Sequence, residues 1–418
     1  MKPPKESMVV VIDNGFFVAL AEKLTGYFKK VYYWTPNSAA FPKEAEEEIG
    51  TGIARVERIR GNIEGYFDRV DGFIFPDSNF TEMAQYLKDH GKLVWGAANA
   101  EWLEQDRWKY REYMEDNNMD HPETRRIIGD KKLFEFLIPE KDKYVKISRT
   151  RGDFETFHWI DDKHSRYKLE QTLFPLGPLK ADTEFIVDDA INDAVEIGYD
   201  GTVVNGEYPP IVSWGIEIKD NCYLGKVERY SNLPISLRET NAALQPVFKK
   251  EKTTSFFSTE VRVNKDGNFL IDPTCRAGSP PFLAELELYS NWPEHIWAGM
   301  NGQVVPLRPV ARYMGFIFIY SDESDDDWQK VDFPDADKQW YKFYNLIKID
   351  KEHWVVPFRY ELGVIGAVVA IGNSPDDVVA KLRKYAEKLK GDVEFKWEAV
   401  DKAMKAIKEL KVKYGINF

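Results

Sequence analysis

Two carboxylates on either side of a short turn, Glu260 and Asp272, have the clearest chemical potential in the sequence. Residues 265–267 predict a three-residue hairpin loop, in which Gly267 supplies the residue with a positive φ. Pairing outward from Asp266 places the two carboxylates opposite each other, with Cβ atoms about 5 Å apart. Facing carboxylates repel unless a cation lies between them, and carboxylate oxygens suit Mg²⁺, often together with nucleotide phosphates. The hairpin therefore predicts a magnesium site.

Two residues just beyond the hairpin extend this prediction. Thr274 offers a hydroxyl as a third ligand, and Arg276 offers a fixed cation for a phosphate or a carboxylate. The same pairing places four apolar residues on the opposite face, where they form a core: Val261, Val263, Phe269 and Ile271. The alternative is a solvent-facing hairpin whose acids are incidental. A bulge that shifted the register by one residue would also weaken the metal site.

Composition excludes several classes of protein. The chain has 418 residues with 69 Asp+Glu and 57 Lys+Arg, for a formal net charge of −12, which argues against a protein that grips nucleic acid backbone. There is no apolar run of about 18 residues and no apolar signal core at the start, so we expect no membrane span. Cys222 and Cys275 form no disulfide framework, which favours a cytoplasmic protein. The sequence contains neither GxxxxGK[ST] nor a GxGxxG after the first strand.

Hydrophobic periodicity predicts an α/β protein. In the first hundred residues, strands at 8–13, 31–34, 72–75 and 92–96 alternate with helices, which is typical of an open parallel sheet. A helix over 107–118 and a strand-rich stretch over about 125–290 follow. The end of the chain predicts a strand at 363–370, a helix at 376–390, a strand at 393–397 and a helix at 400–414.

The hairpin resembles the metal-binding strands of the ATP-grasp superfamily. In that family a Glu is followed twelve residues later by an acid that opens a [D/E]-x-N-x-R motif. Glu260 and Asp272 have that spacing, and residues 272–276 fit the motif with Thr274 in place of Asn. The resemblance implies ATP as a ligand and one or two Mg²⁺ ions, with Mn²⁺ as a substitute, bound by Glu260, Asp272 and Thr274.

Two further basic residues fall in the family's order. Arg107 stands where a lysine often contacts the nucleotide phosphates, and Lys146 resembles the strand lysine that reaches the α and β phosphates. Taken alone, Lys146 would be read as a surface residue. Residues 148–156 resemble the loop that closes over the triphosphate, although a solvated basic loop is the alternative.

The resemblance also implies residues for the adenosine. The strand that ends in Asp188 and Asp189 is similar to the hinge whose backbone reads the adenine edge. Glu196 matches the acid that binds the ribose hydroxyls, with Glu207 as the alternative. Lys219 could line the substrate side or form an ordinary surface salt bridge.

The resemblance implies an ATP-grasp fold in three parts. These are an N-terminal open parallel α/β domain (1–104), a two-lobed ATP-grasp domain (105–310, with a lid lobe at about 125–187) and a small C-terminal α+β domain (311–418). The layout of the first part resembles the glycinamide ribonucleotide synthetases. Their phosphoribosylamine-binding segment is not recognisable at residues 76–80, so we extend the ATP machinery to this chain and not the purine substrate.

The implied activity is that of an ATP-dependent carboxylate–amine ligase that works through an acylphosphate. Its partners would be a small-molecule carboxylate and a small-molecule amine, with Lys146 and Arg276 as catalytic residues; a homodimer is compatible with the resemblance. Two alternatives stay open. One is an ATP-binding sensor or scaffold that has lost catalysis, and the other is an ATP-grasp enzyme that modifies nucleic acid, which the acidic composition disfavours.

Overall fold

A computed structural model describes residues 2–36, 49–148, 156–219, 221–279, 281–324, 327–357 and 363–418. Its strands are β1 (Met8–Ile12), β2 (Lys30–Trp34), β3 (Val56–Arg58), β4 (Gly72–Ile74), β5 (Leu93–Trp95), β6 (Thr124–Ile128), β7 (Lys143–Ile147), β8 (Thr156–Trp159), β9 (Glu184–Asp189), β10 (Val195–Val203), β11 (Ile211–Ile218), β12 (Cys222–Arg229), β13 (Ser255–Val263), β14 (Asn268–Thr274), β15 (Tyr313–Tyr320), β16 (Gln329–Val331), β17 (Tyr341–Phe343), β18 (Leu346–Ile349), β19 (Glu352–Val355) and β20 (Val364–Gly372). Its α-helices are α1 (Val18–Leu24), α2 (Thr81–Asp89), α3 (Trp102–Gln105), α4 (Arg107–Asp116), α5 (Asp130–Leu137), α6 (Asp162–Leu173), α7 (Ile235–Lys250), α8 (Pro281–Leu288), α9 (Trp292–Met300), α10 (Pro375–Ala386) and α11 (Trp397–Tyr414).

The N-terminal part is a five-stranded parallel sheet in the order β3-β2-β1-β4-β5, which confirms the predicted open α/β sheet. Its central strand β1 is buried from Val9 to Ile12, because both faces of such a sheet are covered. Strand β3 was not predicted, since Val56–Arg58 is only partly buried and lacks an apolar run. The loops that follow β1 and β4 meet at the carboxyl edge of this sheet.

A second sheet of four antiparallel strands, in the order β6-β9-β7-β8, carries Lys146 on one face. Helices α5 and α6 cover its other face with a small core that includes Leu133, Leu169 and Trp159. Side chains alternate along a strand, so Val145 enters this core while Lys146 faces the opposite side. Because α5 and α6 cover the face that carries Val145, Lys146 on the opposite face is left to point towards the predicted nucleotide site.

The largest sheet has eight strands in the order β14-β13-β10-β11-β12-β15-β20-β17. Helices α7 and α11 pack on one face through residues such as Leu244 and Leu410. The opposite face of β10, β11 and β13 carries polar residues. Strands β15, β17 and β20 extend this sheet from the last part of the chain, so the sheet runs continuously across the predicted division at residue 310.

One predicted element is wrong. The segment 393–397 is not a strand: within it only Glu394 makes a bridge, to Tyr320, and α11 begins at Trp397. The alternating apolar residues Val393, Phe395 and Trp397 pack partly buried on the core, which reproduces the period of a strand without the ladder. Within the described ranges, no helix is both long and apolar enough to cross a membrane.

Candidate active site

The hairpin of β13 and β14 pairs Glu260 directly with Asp272, as the sequence predicts. A bulge shifts the register between Glu260 and Val261, so that Val261 pairs with Leu270. The core face is therefore completed by the fully buried Leu270, and the predicted core positions of Phe269 and Ile271 are corrected to half-buried ones. The extra residue lies on the turn side of the carboxylate pair, so the pair itself keeps its predicted register.

The turn of this hairpin differs from the prediction. The Asn264 Oδ1 accepts hydrogen bonds from the backbone N–H groups of Asp266 (2.8 Å) and Gly267 (3.2 Å). Gly267 does not have a positive φ. A Cβ at this position would stand 2.7 Å from Asp120 Oδ2, so a larger residue would displace that carboxylate. The sequence identified the correct glycine for the wrong physical reason.

Glu260 lies in an acidic environment. Burial raises the pKa of Glu260 to about 7; Lys219 opposes the rise, while Glu196 and Asp272 add to it. Burial also raises the pKa of the neighbouring Glu217 well above its usual value, and Glu260 adds to that rise. Sequence reasoning missed Glu217, although it stands two residues before Lys219 on β11. A cation among these carboxyls would relieve their mutual repulsion.

Lys146 provides positive charge at the edge of this region. It is 4% exposed, and its Nζ lies 3.4 Å from Asp188 Oδ2 and 3.5 Å from Asp272 Oδ2. Arg111 also pairs with Asp188, because its Nη2 lies 3.2 Å from each carboxylate oxygen. The Thr124 hydroxyl donates a hydrogen bond to Asp188 Oδ1 at 2.6 Å. The carboxylate of Asp188 is thus part of a buried ion-pair network. Arg111 was missed by the sequence analysis, although it lies one helical turn after a predicted site residue.

The side chain of Arg107 binds the end of strand β7. Helix α4 begins at this residue because Asp106 caps it, and the buried guanidinium donates from Nη1 to the carbonyl of Ile147 at 2.5 Å. Its backbone N–H donates to the carbonyl of Ser148 at 3.3 Å. Arg107 therefore lies at the start of the predicted phosphate loop. That loop itself, residues 149–155, lies outside the described residues.

The side chains of two residues that the resemblance places beside the nucleoside, Asp189 and Glu196, are engaged with cations. Asp189 Oδ1 accepts from Lys143 Nζ at 2.6 Å. Glu196 Oε2 accepts from Arg262 Nε at 3.0 Å, and the Arg262 guanidinium lies 5.9 Å from the centroid of the Tyr144 ring. The alternative ribose acid, Glu207, forms an exposed pair with Lys249 and does not line the cleft described below. Of the two, Glu196 lines that cleft.

Tyr144, which lies beside Arg262, belongs to an aromatic stack. Its ring stacks on His158, with centroids 4.6 Å apart and an angle of 7° between the planes. His158 in turn contacts Asp142 through Nε2 at 2.7 Å. A flat aromatic surface beside a strand end is suited to an adenine ring.

The cleft has a cavity volume of about 70 Å³ and opens to solvent. Residues from five strands and the segment after β14 line it, including Glu196, Asp200, Glu217, Glu260, Thr274 and Arg276. Arg276 is oriented by the buried Glu104, whose Oε1 accepts from Arg276 Nε at 3.0 Å and whose Oε2 accepts from the Cys275 N–H at 2.8 Å. Its charge also lowers the pKa of Asp77, which burial raises. Arg276 thus connects the cleft to the N-terminal sheet.

The side chains of Glu260, Asp272 and Thr274 can be compared with the ligands that magnesium usually has in proteins. Among the described residues, no group of three or more His, Cys, Asp and Glu side chains is close enough to form a preformed metal centre. The facing pair of Glu260 and Asp272 provides two carboxylates, and Thr274 is two residues further along the same strand. Magnesium usually binds through one or two carboxylates, with phosphates and water completing its shell. The residues present therefore fit a metal that arrives with a nucleotide.

Comparisons with known proteins identify the fold. The chain is similar to phosphoribosylamine–glycine ligase of Thermotoga maritima (TM-score 0.69, 12% identity, 93% of this chain and 98% of that one). It is also similar to the biotin carboxylase domain of Hydrogenobacter thermophilus 2-oxoglutarate carboxylase, solved with MgADP, ADP and bicarbonate (TM-score 0.66, 11% identity, 98% of this chain and 96% of that one). A third similar structure is the L-amino acid ligase of Bacillus licheniformis (TM-score 0.62, 13% identity, 94% of this chain and 99% of that one). No family model and no curated protein matches the sequence.

Proposed function

We propose that this chain, which has the ATP-grasp fold of those ligases, is an ATP-dependent carboxylate–amine ligase. ATP would be converted to ADP and phosphate while a small-molecule carboxylate is activated as an acylphosphate and then transferred to an amine. The observation that carries the proposal is the pairing of Glu260 with Asp272, in which Glu260 lines one cleft with Arg276. A carboxylate pair for the metal and a guanidinium for the substrate are what such chemistry requires.

Glu260, Asp272 and Thr274 would bind one or two magnesium ions, and manganese could substitute. When bound, magnesium would neutralise charge on the β and γ phosphates of ATP. Lys146 would donate to the α and β phosphates, and Arg107, which holds the end of β7, would fix the loop beside them. The ADP complexes of the similar N5-carboxyaminoimidazole ribonucleotide synthetases support a nucleotide in this cleft.

Arg276 would bind the substrate carboxylate while one of its oxygens attacks the γ phosphorus. Its guanidinium is positioned for this by Glu104, which is buried and cannot turn away without losing the bond to the Cys275 N–H. Orientation of this kind is how such sites lower a barrier, because the reacting groups meet without further entropy cost. For the adenosine, the backbone of Asp188 and Asp189 would bind adenine and Glu196 the ribose.

The test is ADP release, measured over pools of carboxylates and amines with magnesium and ATP. We expect at least one pair to stimulate release, and Glu260→Gln and Asp272→Asn to reduce it by about a hundredfold or more. Asp266→Asn is the matched control, since it is the same change at the exposed tip of the same hairpin. Full activity of either site variant would exclude the assignment.

An ATP-binding sensor is the second candidate. The ion pair of Glu196 with Arg262 favours it, because it occupies the carboxylate that would bind the ribose. Tight ATP binding without ADP release in any substrate pool would support this alternative.

The similar biotin carboxylase domain is a dimer in its structure, which supports a homodimer here and can be tested by light scattering. We also expect the protein to act in the cytoplasm.

A further inference from the structure

We infer that the floor of the cleft is the subsite for the amine substrate, with Asp200 as the group that holds its ammonium and accepts a proton from it. The inference rests on the proposed function, because it assigns a place to the second substrate of the same reaction. It concerns a residue that lies four positions after Glu196 on β10 and faces the same side of the strand.

The two oxygens of Asp200 have different environments. Asp200 is 6% exposed, and its Oδ2 accepts a hydrogen bond from the Tyr223 hydroxyl at 2.5 Å. Its Oδ1 has no hydrogen-bond partner in the described part of the chain and lies at the wall of the cleft. A Cβ added to Gly278 would stand 3.3 Å from that oxygen, so the glycine leaves the approach to it open. One oxygen is thus fixed, and the other is directed at whatever enters the cleft.

The side chain of Tyr223, which fixes Asp200, has a defined position on the sheet. Tyr223 starts from β12 and reaches across β11 to β10, and it is 1% exposed. A Cβ on Gly215 or on Gly225 would stand 2.4 Å from atoms of its side chain. Both glycines therefore make room for the ring to lie flat on the sheet. Two glycines on adjacent strands thus allow Tyr223 to orient the carboxylate of Asp200.

The charge of the cleft selects its ligand. Four of its lining residues are carboxylic acids, namely Glu196, Asp200, Glu217 and Glu260, and Arg276 is its one lining cation among the described residues. A metal would use Glu260 together with Asp272 on the neighbouring strand. Asp200 is not part of that pair, and its carboxylate would repel a second carboxylate substrate. An ammonium is the organic group whose charge and hydrogen-bond donors match Asp200 Oδ1.

The protonation of Asp200 suits the reaction. Burial raises the pKa of Asp200 to about 7, and the Tyr223 hydroxyl opposes the rise. The ammonium nitrogen gives one proton to Asp200 Oδ1, and its freed electron pair attacks the acyl carbon to form the C–N bond. The C–O bond to phosphate breaks, its electron pair leaves with phosphate, and the nitrogen loses a further proton to solvent. The titratable groups that interact with Asp200 are Tyr223, Glu285, Glu217 and Tyr289.

Calorimetric titration of the full chain in saturating Mg·ADP tests the inference, with propylammonium, 1,4-diaminobutane and propionate as probes. We expect saturable binding of the amines that is weakened about tenfold or more in Asp200→Asn, because a hydrogen bond to a charged group is lost. Gly278→Ala, which keeps the carboxylate but covers Oδ1, should weaken it similarly. Asp266→Asn should bind the amines like the original protein.

Three results would overturn the inference: no saturable amine binding, preference for propionate over the amines, or equal amine affinity in Asp200→Asn with an unchanged melting temperature. Mg·ATP binding is measured in the same samples and should change by no more than about twofold in Asp200→Asn. Failure of Mg·ATP to bind the original protein would instead exclude the proposed function, so the two failures can be told apart.

Discussion

Lys146 and Asp272 belong to different sheets, and the Lys146 Nζ lies 3.5 Å from the Asp272 Oδ2. The same ammonium lies 3.4 Å from Asp188, so one buried lysine is shared between two carboxylates. One of them is a proposed metal ligand, and the lysine is the proposed phosphate ligand. Binding of a magnesium nucleotide would therefore exchange one set of ion pairs for another, with Lys146 moving to a phosphate and the metal taking its place beside Asp272.

Lys146→Met should have opposite effects on the two ligands. Affinity for ATP should fall by about ten- to a hundredfold, because a charge-assisted hydrogen bond to phosphate is lost. Affinity for magnesium without nucleotide should rise, because the competing cation beside Asp272 is removed. Calorimetry measures both. Lys141→Met, at an exposed position just before β7, is the control, and an unchanged ATP affinity in Lys146→Met would contradict the proposed role.

Arg111→Met should destabilise the protein by about 3–5 kcal/mol, because it leaves the carboxylate of Asp188 buried with one charge partner fewer. Urea unfolding measures this change. Arg125→Met is the matched control, since Arg125 pairs with Glu123 at 3.7 Å on the surface and should contribute less than about 1 kcal/mol. Equal effects of the two substitutions would show that the buried network does not stabilise the fold.

Asp13→Asn should flatten the dependence of stability on pH. Burial raises the pKa of Asp13 from 3.8 to about 7, and Asp77 contributes to the rise. The folded protein then binds a proton that the unfolded chain has released, so this group's stabilisation is complete below pH ~4 and is lost as the pH rises to ~7. The slope over that range should change by up to about 1.4 kcal/mol per pH unit.

Urea unfolding at several pH values between about 4 and 8 measures this slope. Asp266→Asn, at the exposed turn, should keep the slope of the original protein. If Asp13→Asn has that same slope, Asp13 is ionised in the folded protein at neutral pH, contrary to the burial argument.

Gly225→Ala should destabilise the protein by about 1–3 kcal/mol, because the new Cβ would stand 2.4 Å from the Tyr223 ring and overpack the sheet. Amine binding should weaken with it, since Tyr223 orients Asp200. Gly65→Ala is the control: no heavy atom lies within 4 Å of its added Cβ, and its stability should change by about 1 kcal/mol or less. Denaturant unfolding compares the two, and a neutral Gly225→Ala would mean that Tyr223 is not held by the glycines.

The carboxylate pair could be predicted from the sequence because its information is local. Two strands joined by a short turn leave few registers, and the bulge lies between the turn and the pair, so Glu260 still meets Asp272. Arg111, Glu217 and Asp200 could not be predicted in the same way. Each is a single charged residue in an otherwise ordinary helix or strand, where a solvated position is the default expectation.

By itself, the sequence determined the parallel N-terminal sheet and the facing carboxylates, because hydrophobic period and turn chemistry act over a few residues. The tertiary structure alone decided that Lys146 is shared by Asp188 and Asp272, and that Tyr223 crosses two strands to Asp200. It also decided that the largest sheet continues past residue 310 into β15 and β20. These contacts join residues far apart in the chain, and their geometry depends on how whole sheets pack, which no local pattern encodes.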